Sequence, residues 1–141
     1  KMNEQAEREI IELHDFFGQW FRAEVDDSEE VYARLEKALD ERFLLIAPTG
    51  EMVPRNALLS QLRKGYGSHK EDKIPYRLWV KNLQCRLLVE GTFCLVTYEE
   101  WGKVHGVINS RISSALFRKD ERAPNGVSWV HVHETLFVEP P

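Results

Sequence analysis

The chain has 141 residues, 43% of them hydrophobic, and a formal net charge of −4. That size suits one domain with one core, and mixed charges threaded by recurrent apolar residues exclude a disordered chain. The acidic balance argues against a nucleic-acid partner: the densest basic stretch, Arg118, Lys119 and Arg122, is broken by Asp120 and Glu121 and reads as a solvated turn.

From Asn3 to Glu24, apolar residues fall at Ala6, Ile10, Leu13, Phe17, Trp20 and Phe21, the spacing of one helical stripe, which Ile11 and Phe16 widen. This acidic, amphipathic start differs from a secretory leader, and no apolar run reaches the roughly 18 residues of a membrane span. A cytoplasmic location and no membrane partner are therefore expected. Asp27 or Ser28 caps a second helix, with Glu29 and Glu30 in its favourable first turn. Its stripe is Val31, Leu35, Ala38 and Leu39, and it ends near Glu41. Phe43 to Ala47 reads as a short strand, turned by Pro48-Thr49-Gly50, with Met52-Val53 pairing back. Pro54 suits the first position of a third helix that buries Leu58, Leu59 and Leu62 and stops at Gly65. Tyr66 to Lys73 is polar and reads as a mobile loop.

The apolar period then changes to two. Strands are expected over Tyr76–Glu90, Thr92–Trp101, Val107–Lys119 and Val127–Val138, joined at Gly91, Gly102–Gly106 and Ala123–Gly126. Glu139 to Pro141 reads as a loose tail. Helices first and a consecutive antiparallel meander afterwards predict an α+β fold with helices on one face of the sheet. Cys85 and Cys94 would not sit opposite each other in such a hairpin, so both are expected as reduced thiols.

The long first helix, the segment Phe43-Leu44-Leu45-Ile46-Ala47-Pro48-Thr49-Gly50 and the closing Trp129-Val130-His131-Val132-His133-Glu134-Thr135 together resemble the nuclear transport factor 2-like superfamily. The ending is similar to that of SnoaL-like proteins and of the calcium/calmodulin-dependent kinase II association domain. With Val96-Thr97-Tyr98-Glu99-Glu100-Trp101, it looks most like a bacterial branch of unknown function. The resemblance covers nearly the whole chain and implies a cone-shaped, helix-covered curved sheet. Fold membership alone assigns no chemistry. In the ketosteroid isomerase of that superfamily an Asp before a Pro serves as the base; here Ala47 precedes Pro48 and cannot move a proton.

Alternation sorts the strand residues into two sets. The even set, with Val96, Tyr98, Ile112, Ser114, Val132 and Glu134, is the more aliphatic and is expected under the helices, where Phe17 and Trp20 form the opposite wall of a ligand pocket. Tyr98 and Glu134 are the candidate acid and base. The odd set, with Trp101, Arg111, Phe117, Trp129, His131 and His133, is expected to form a homodimer interface, with Glu99 and Arg111 paired across neighbouring strands. His131 and His133 share a face but lack a third ligand, His105 lies in a turn with no route to them, and His14 is expected on a helix surface; no metal or cofactor is anticipated. Three functions stay open: a domain that binds a small apolar or amphipathic ligand and forms a homodimer, a lyase-, cyclase- or isomerase-type enzyme, and a non-catalytic interaction domain.

Overall fold

Helix α1 spans Met2–Phe21 and buries Met2, Ala6, Ile10, Leu13 and Trp20 almost completely, as its three-and-four spacing requires. Each large side chain so buried contributes about 1.5–3 kcal/mol from apolar area. Ile11 falls outside the stripe and stays exposed. The structure, a computed structural model, describes residues 1–137. The tail expected at residues 139–141, and Val138, lie outside them.

Helix α2 (Glu29–Ala38) is capped by Ser28, whose Oγ accepts from the Val31 N–H at 3.1 Å. It ends earlier than its apolar pattern suggests, because Leu39 opens strand β1 (Leu39–Ile46). Strand β2 (Met52–Pro54) pairs back on β1, and Pro54 is the extended residue before helix α3 (Arg55–Lys64) rather than its first helical residue. The long strands are β3 (Arg77–Val89), β4 (Phe93–Val104), β5 (Val107–Lys119) and β6 (Val127–Leu136). Strand β4 runs past the expected stop at Trp101. The turn to β5 is only His105 and Gly106, both at positive φ, the pairing a tight hairpin needs.

The sheet order is β2-β1-β6-β5-β4-β3. Strands β3 to β6 form the expected antiparallel meander, and β1 joins β6 in parallel. Helices pack on one face of this mixed sheet, an α+β arrangement. The segment after α3, read from sequence as mobile, is fastened instead. Tyr66 donates to the Val25 carbonyl at 2.6 Å, and the Gly67 and His69 N–H groups donate to Trp20 and Phe21 carbonyls. Cys85 and Cys94 are both free thiols.

Two buried carboxylates lock the layers. Glu9, fully buried on α1, accepts from both terminal nitrogens of Arg34 on α2, from Asn125 in the β5–β6 turn at 2.9 Å and from Trp129 Nε1 on β6 at 2.9 Å. Asp40 of β1 holds Arg118 of β5; burial opposes its ionisation, but Arg118 and the Arg42 N–H and guanidinium outweigh that and bring its pKa to about 2. Replacing Glu9 by Ala strands a half-buried guanidinium and the Trp129 N–H. We expect it to cost about 3 kcal/mol or more in urea unfolding, with the Glu9→Leu/Arg34→Leu double variant recovering part of the loss.

Candidate functional site

Between the helices and the sheet lies a cavity of about 220 Å³. Leu13, His14, Phe17 and Phe21 of α1 roof it, while Leu35 and Ala38 of α2 and Leu58 and Leu62 of α3 close its sides. Phe43 and Leu45 of β1 and Tyr76 and Leu78 at the start of β3 complete the apolar wall. Its floor is Tyr98 and Glu100 on β4, Arg111 on β5 and Trp129, Val132 and Glu134 on β6.

Strand register, not residue parity, selects that floor. In the antiparallel β4–β5 pair Tyr98 faces Ser113 and Glu100 faces Arg111, so even residues of β4 share a face with odd residues of β5. Ser113 in turn faces Glu134, which returns β6 to even residues. A bulge between Leu116 and Phe117 shifts the pairing again and sets Trp129 opposite Phe117 on the inner face. The outcome for the expected pocket is specific. Phe17, Tyr98, Val132 and Glu134 line the cavity, whereas Ile112 and Ser114 lie on the opposite face of the sheet. Trp20 is fully buried beside the cavity, not in its wall. It donates Nε1 to the Leu62 carbonyl at 2.7 Å and packs on Phe16, Tyr32 and Tyr66.

The expected interface divides likewise. Phe117 and Trp129 are 0% and 3% exposed core residues and present nothing to a partner. Arg111 turns inward and donates Nη1 to Glu134 Oε1 at 2.8 Å. The anticipated Glu99–Arg111 pair does not form, because Glu99 stands opposite Ile112 and accepts instead from Asn82 and Trp101 Nε1. Trp101, His131 and His133 do lie on the outer face, where Trp101 stacks on Trp79. Among the described residues no third metal-ligating side chain joins His131 and His133.

His14 departs furthest from expectation: it is buried at the polar end of the cavity rather than exposed. The Ile10 carbonyl can only accept, so His14 Nδ1 carries a hydrogen and donates to it at 2.7 Å. His14 Nε2 lies 2.8 Å from Glu100 Oε1. Burial works against a charged imidazole, yet the hydrogen bond and charge of Glu100 prevail and raise the His14 pKa. Burial likewise works against ionised Glu100, and His14 overrides it, holding that carboxyl below its usual range. Both directions favour the charged forms of the pair, in which His14 donates from both nitrogens, one to a carbonyl and one to a carboxylate.

Glu134 goes the other way. Burial and the nearby negative charge of Glu100 raise its pKa despite the opposing pull of Arg111. Burial also drives the Tyr98 phenol well above its ordinary value, and Tyr76 up to about 12. The site therefore offers an apolar chamber with one polar end: a histidine–carboxyl dyad, a guanidinium, a carboxyl inclined to keep its proton and two phenols that stay protonated.

The dyad predicts a pH window. The raised His14 pKa stabilises the fold fully below about 6.5 and loses that contribution as pH rises through the folded value. The lowered Glu100 pKa stabilises above about 4.5 and loses its contribution as pH falls through the folded value. The stability difference between the parent and His14→Gln should thus be greatest between about pH 4.5 and 6.5, with Arg111 and Glu134 the other titratable or charged groups at the site. Urea unfolding across pH 4–9 checks this; a flat difference would remove the ion pair.

Residues 6–139 match the model of the family described as sucrose-6-phosphate phosphohydrolase C-terminal. A curated relative, the probable sucrose-phosphatase 2 of Arabidopsis thaliana, is 23% identical over 127 residues, which cover 90% of this chain. The chain spans 29% of that relative's length. Among solved structures, a nuclear transport factor 2-like protein of unknown function from Pseudomonas aeruginosa superimposes with a TM-score of 0.80 at 19% identity, covering 95% of this chain and 99% of the other. The CaMKII hub of S. rosetta superimposes with a TM-score of 0.64 at 13% identity, covering 95% and 92%. These likenesses show the fold.

Proposed function

We propose that this chain, which belongs to the sucrose-6-phosphate phosphohydrolase C-terminal family, is a binding and assembly module that takes a small amphipathic ligand into its cavity and pairs with a second copy through its outer sheet face. The observation that carries the binding is the chamber of about 220 Å³, apolar on most of its wall and polar at one end. Small-molecule sites have that composition: an apolar body gives affinity and a few fixed polar groups give orientation. An oxygen-bearing head group would meet Arg111, Tyr98 and the Glu134 carboxyl, while the body lies among Phe17, Phe21 and Leu58.

A phosphate ester suits this chamber poorly. Phosphoryl groups are held by converging cations or metal ions, and here the guanidinium is already engaged by Glu134 and the imidazole by Glu100. The sucrose-phosphatase activity named for the relatives belongs to proteins of which this chain spans 29%. We assign the chain a supporting role beside such chemistry, not the phosphoryl transfer itself.

Native mass spectrometry of freshly purified protein tests the binding. A retained small molecule is expected on the parent and should be lost from Val132→Phe, which fills the floor of the cavity, while the circular dichroism spectrum is preserved. Retention of the adduct by the filled variant would place the ligand elsewhere.

Assembly is supported by the outer sheet face. Trp79 and Trp101 stack there, and Ile108 and Ile112 are 55% and 37% exposed, an apolar surface of the kind that marks an interface. The CaMKII hub shares this fold. Free Cys85 and Cys94 fit a reducing compartment such as the cytoplasm, and no helix among the described residues is long and apolar enough to cross a membrane. Ile112→Lys is expected to convert a dimer to a monomer by light scattering after gel filtration, with unchanged secondary structure; a dimer that survives the charge would exclude this face.

A further inference from the structure

Outside the cavity, two elements distant in sequence bring three metal-ligating side chains together. His69 and Asp72 belong to the segment between α3 and β3, and His105 to the β4–β5 turn. One ligand atom from each, two imidazole nitrogens and a carboxylate oxygen, lie within 4.8 Å of one another. His69 Nδ1 is 2.7 Å from Asp72 Oδ2, and His105 Nδ1 is 4.0 Å from that same oxygen.

We propose that His69, Asp72 and His105 bind a first-row divalent metal ion, zinc being the best match. Zinc bonds to imidazole and carboxylate are about 2.0–2.2 Å long, which puts tetrahedral ligand atoms about 3.3 Å apart. The two separations to Asp72 bracket that value, and all three ligand atoms lie within 4.8 Å of one another. The adjustment falls on His105, whose side chain is 69% exposed and free to turn inward. The other two ligands are already placed. The His69 ring stacks flat on Tyr76, 4.3 Å between centroids at 10°, and its backbone N–H is tied to the Phe21 carbonyl. Asp72 is partly buried beside it, its side chain 10% exposed, and donates its own N–H to the His69 carbonyl. Metal replaces the hydrogen between His69 Nδ1 and Asp72, and that proton leaves to solvent. Two imidazoles and a carboxylate favour zinc, cobalt or iron(II) over magnesium or calcium, and three protein ligands leave a coordination position open.

The site adjoins the cavity without belonging to it. Tyr76 lines the chamber on one side and carries the His69 ring on the other. A bound ion would therefore clamp the post-α3 segment to the β4–β5 turn at the wall of the proposed ligand chamber. The clamp does not require that chamber to be occupied.

Isothermal titration of metal-stripped protein without a histidine tag, using Zn²⁺, provides the test. One saturable site per chain is expected, weakened about tenfold or more by His105→Ala and by Asp72→Asn and untouched by His133→Ala. Because His105 is exposed, its variant keeps the fold and remains decisive should Asp72→Asn fail to fold. Co²⁺ should give visible absorption bands that His105→Ala abolishes. Absence of saturable binding, binding indifferent to His105→Ala, or binding removed by His133→Ala would each overturn the assignment.

Discussion

A carboxylate buried out of water must be met on every side, and Glu9 is met by four donors from three separate parts of the chain. Arg34 fixes the rotation of α2 against α1, Asn125 fixes the β5–β6 turn, and Trp129 fixes the inner face of β6. Apolar packing sets no such register, since one aliphatic contact serves about as well as its neighbour. The Glu9 contacts are directional, so the layers close in one relative placement. The site inherits this precision: Trp129, held by its indole N–H, packs against Tyr98 and His14, which stand at the polar end of the chamber.

The sheet carries the second constraint. Four long antiparallel strands can curve only if their ladders are interrupted, and interruptions occur between Lys81 and Gln84, between Cys85 and Leu87, and between Leu116 and Phe117. Asn82 adopts a positive φ at the first of these, where its side chain caps Glu99. A bulge bends its strand, and each of these register shifts changes which residues face inward. The cone and the identity of its lining are thus one consequence of the same irregularities.

This explains what was legible in the sequence. Helix α1, the Ser28 cap, the change of period after Lys73 and the meander all rest on local patterns, and they appear with boundaries displaced by a few residues. Leu39 shows the limit of such patterns: it suits the last helical turn or the first strand residue equally, and pairing with β6 decides. Tyr98, Val132 and Glu134 were traceable because each lies on the aliphatic side of its own strand. Arg111, Ile112 and Ser114 were not, since assigning them requires the register between strands, and a single residue of offset exchanges the faces. Trp129 needed the bulge as well. His14 had a signal that went unused: with Ile10, Leu13 and Phe17 it continues the buried helical stripe, so its spacing pointed inward even though its chemistry suggested a surface. The nearness of His69 and His105 has no counterpart in linear spacing, because a loop and a hairpin turn meet only after the sheet has curved.

The chamber itself conflicts with stability considered alone. Apolar side chains left without partners forfeit dispersion contacts, and a volume of this size would ordinarily collapse or fill with larger residues. Two features oppose collapse here. His14 and Glu134 are buried, and each keeps a hydrogen-bonded partner, Glu100 and the half-exposed Arg111, without which its removal from solvent would not be tolerable. Moving the helices closer to the sheet would crowd those pairs without improving their geometry. The aromatic roof of Phe17 and Phe21 is in turn supported from behind, since Phe21 packs on Tyr76 and Tyr76 on His69. The fold therefore maintains an open, polar-ended space by means that serve no packing purpose. Departures of that kind concentrate where a protein meets its ligand.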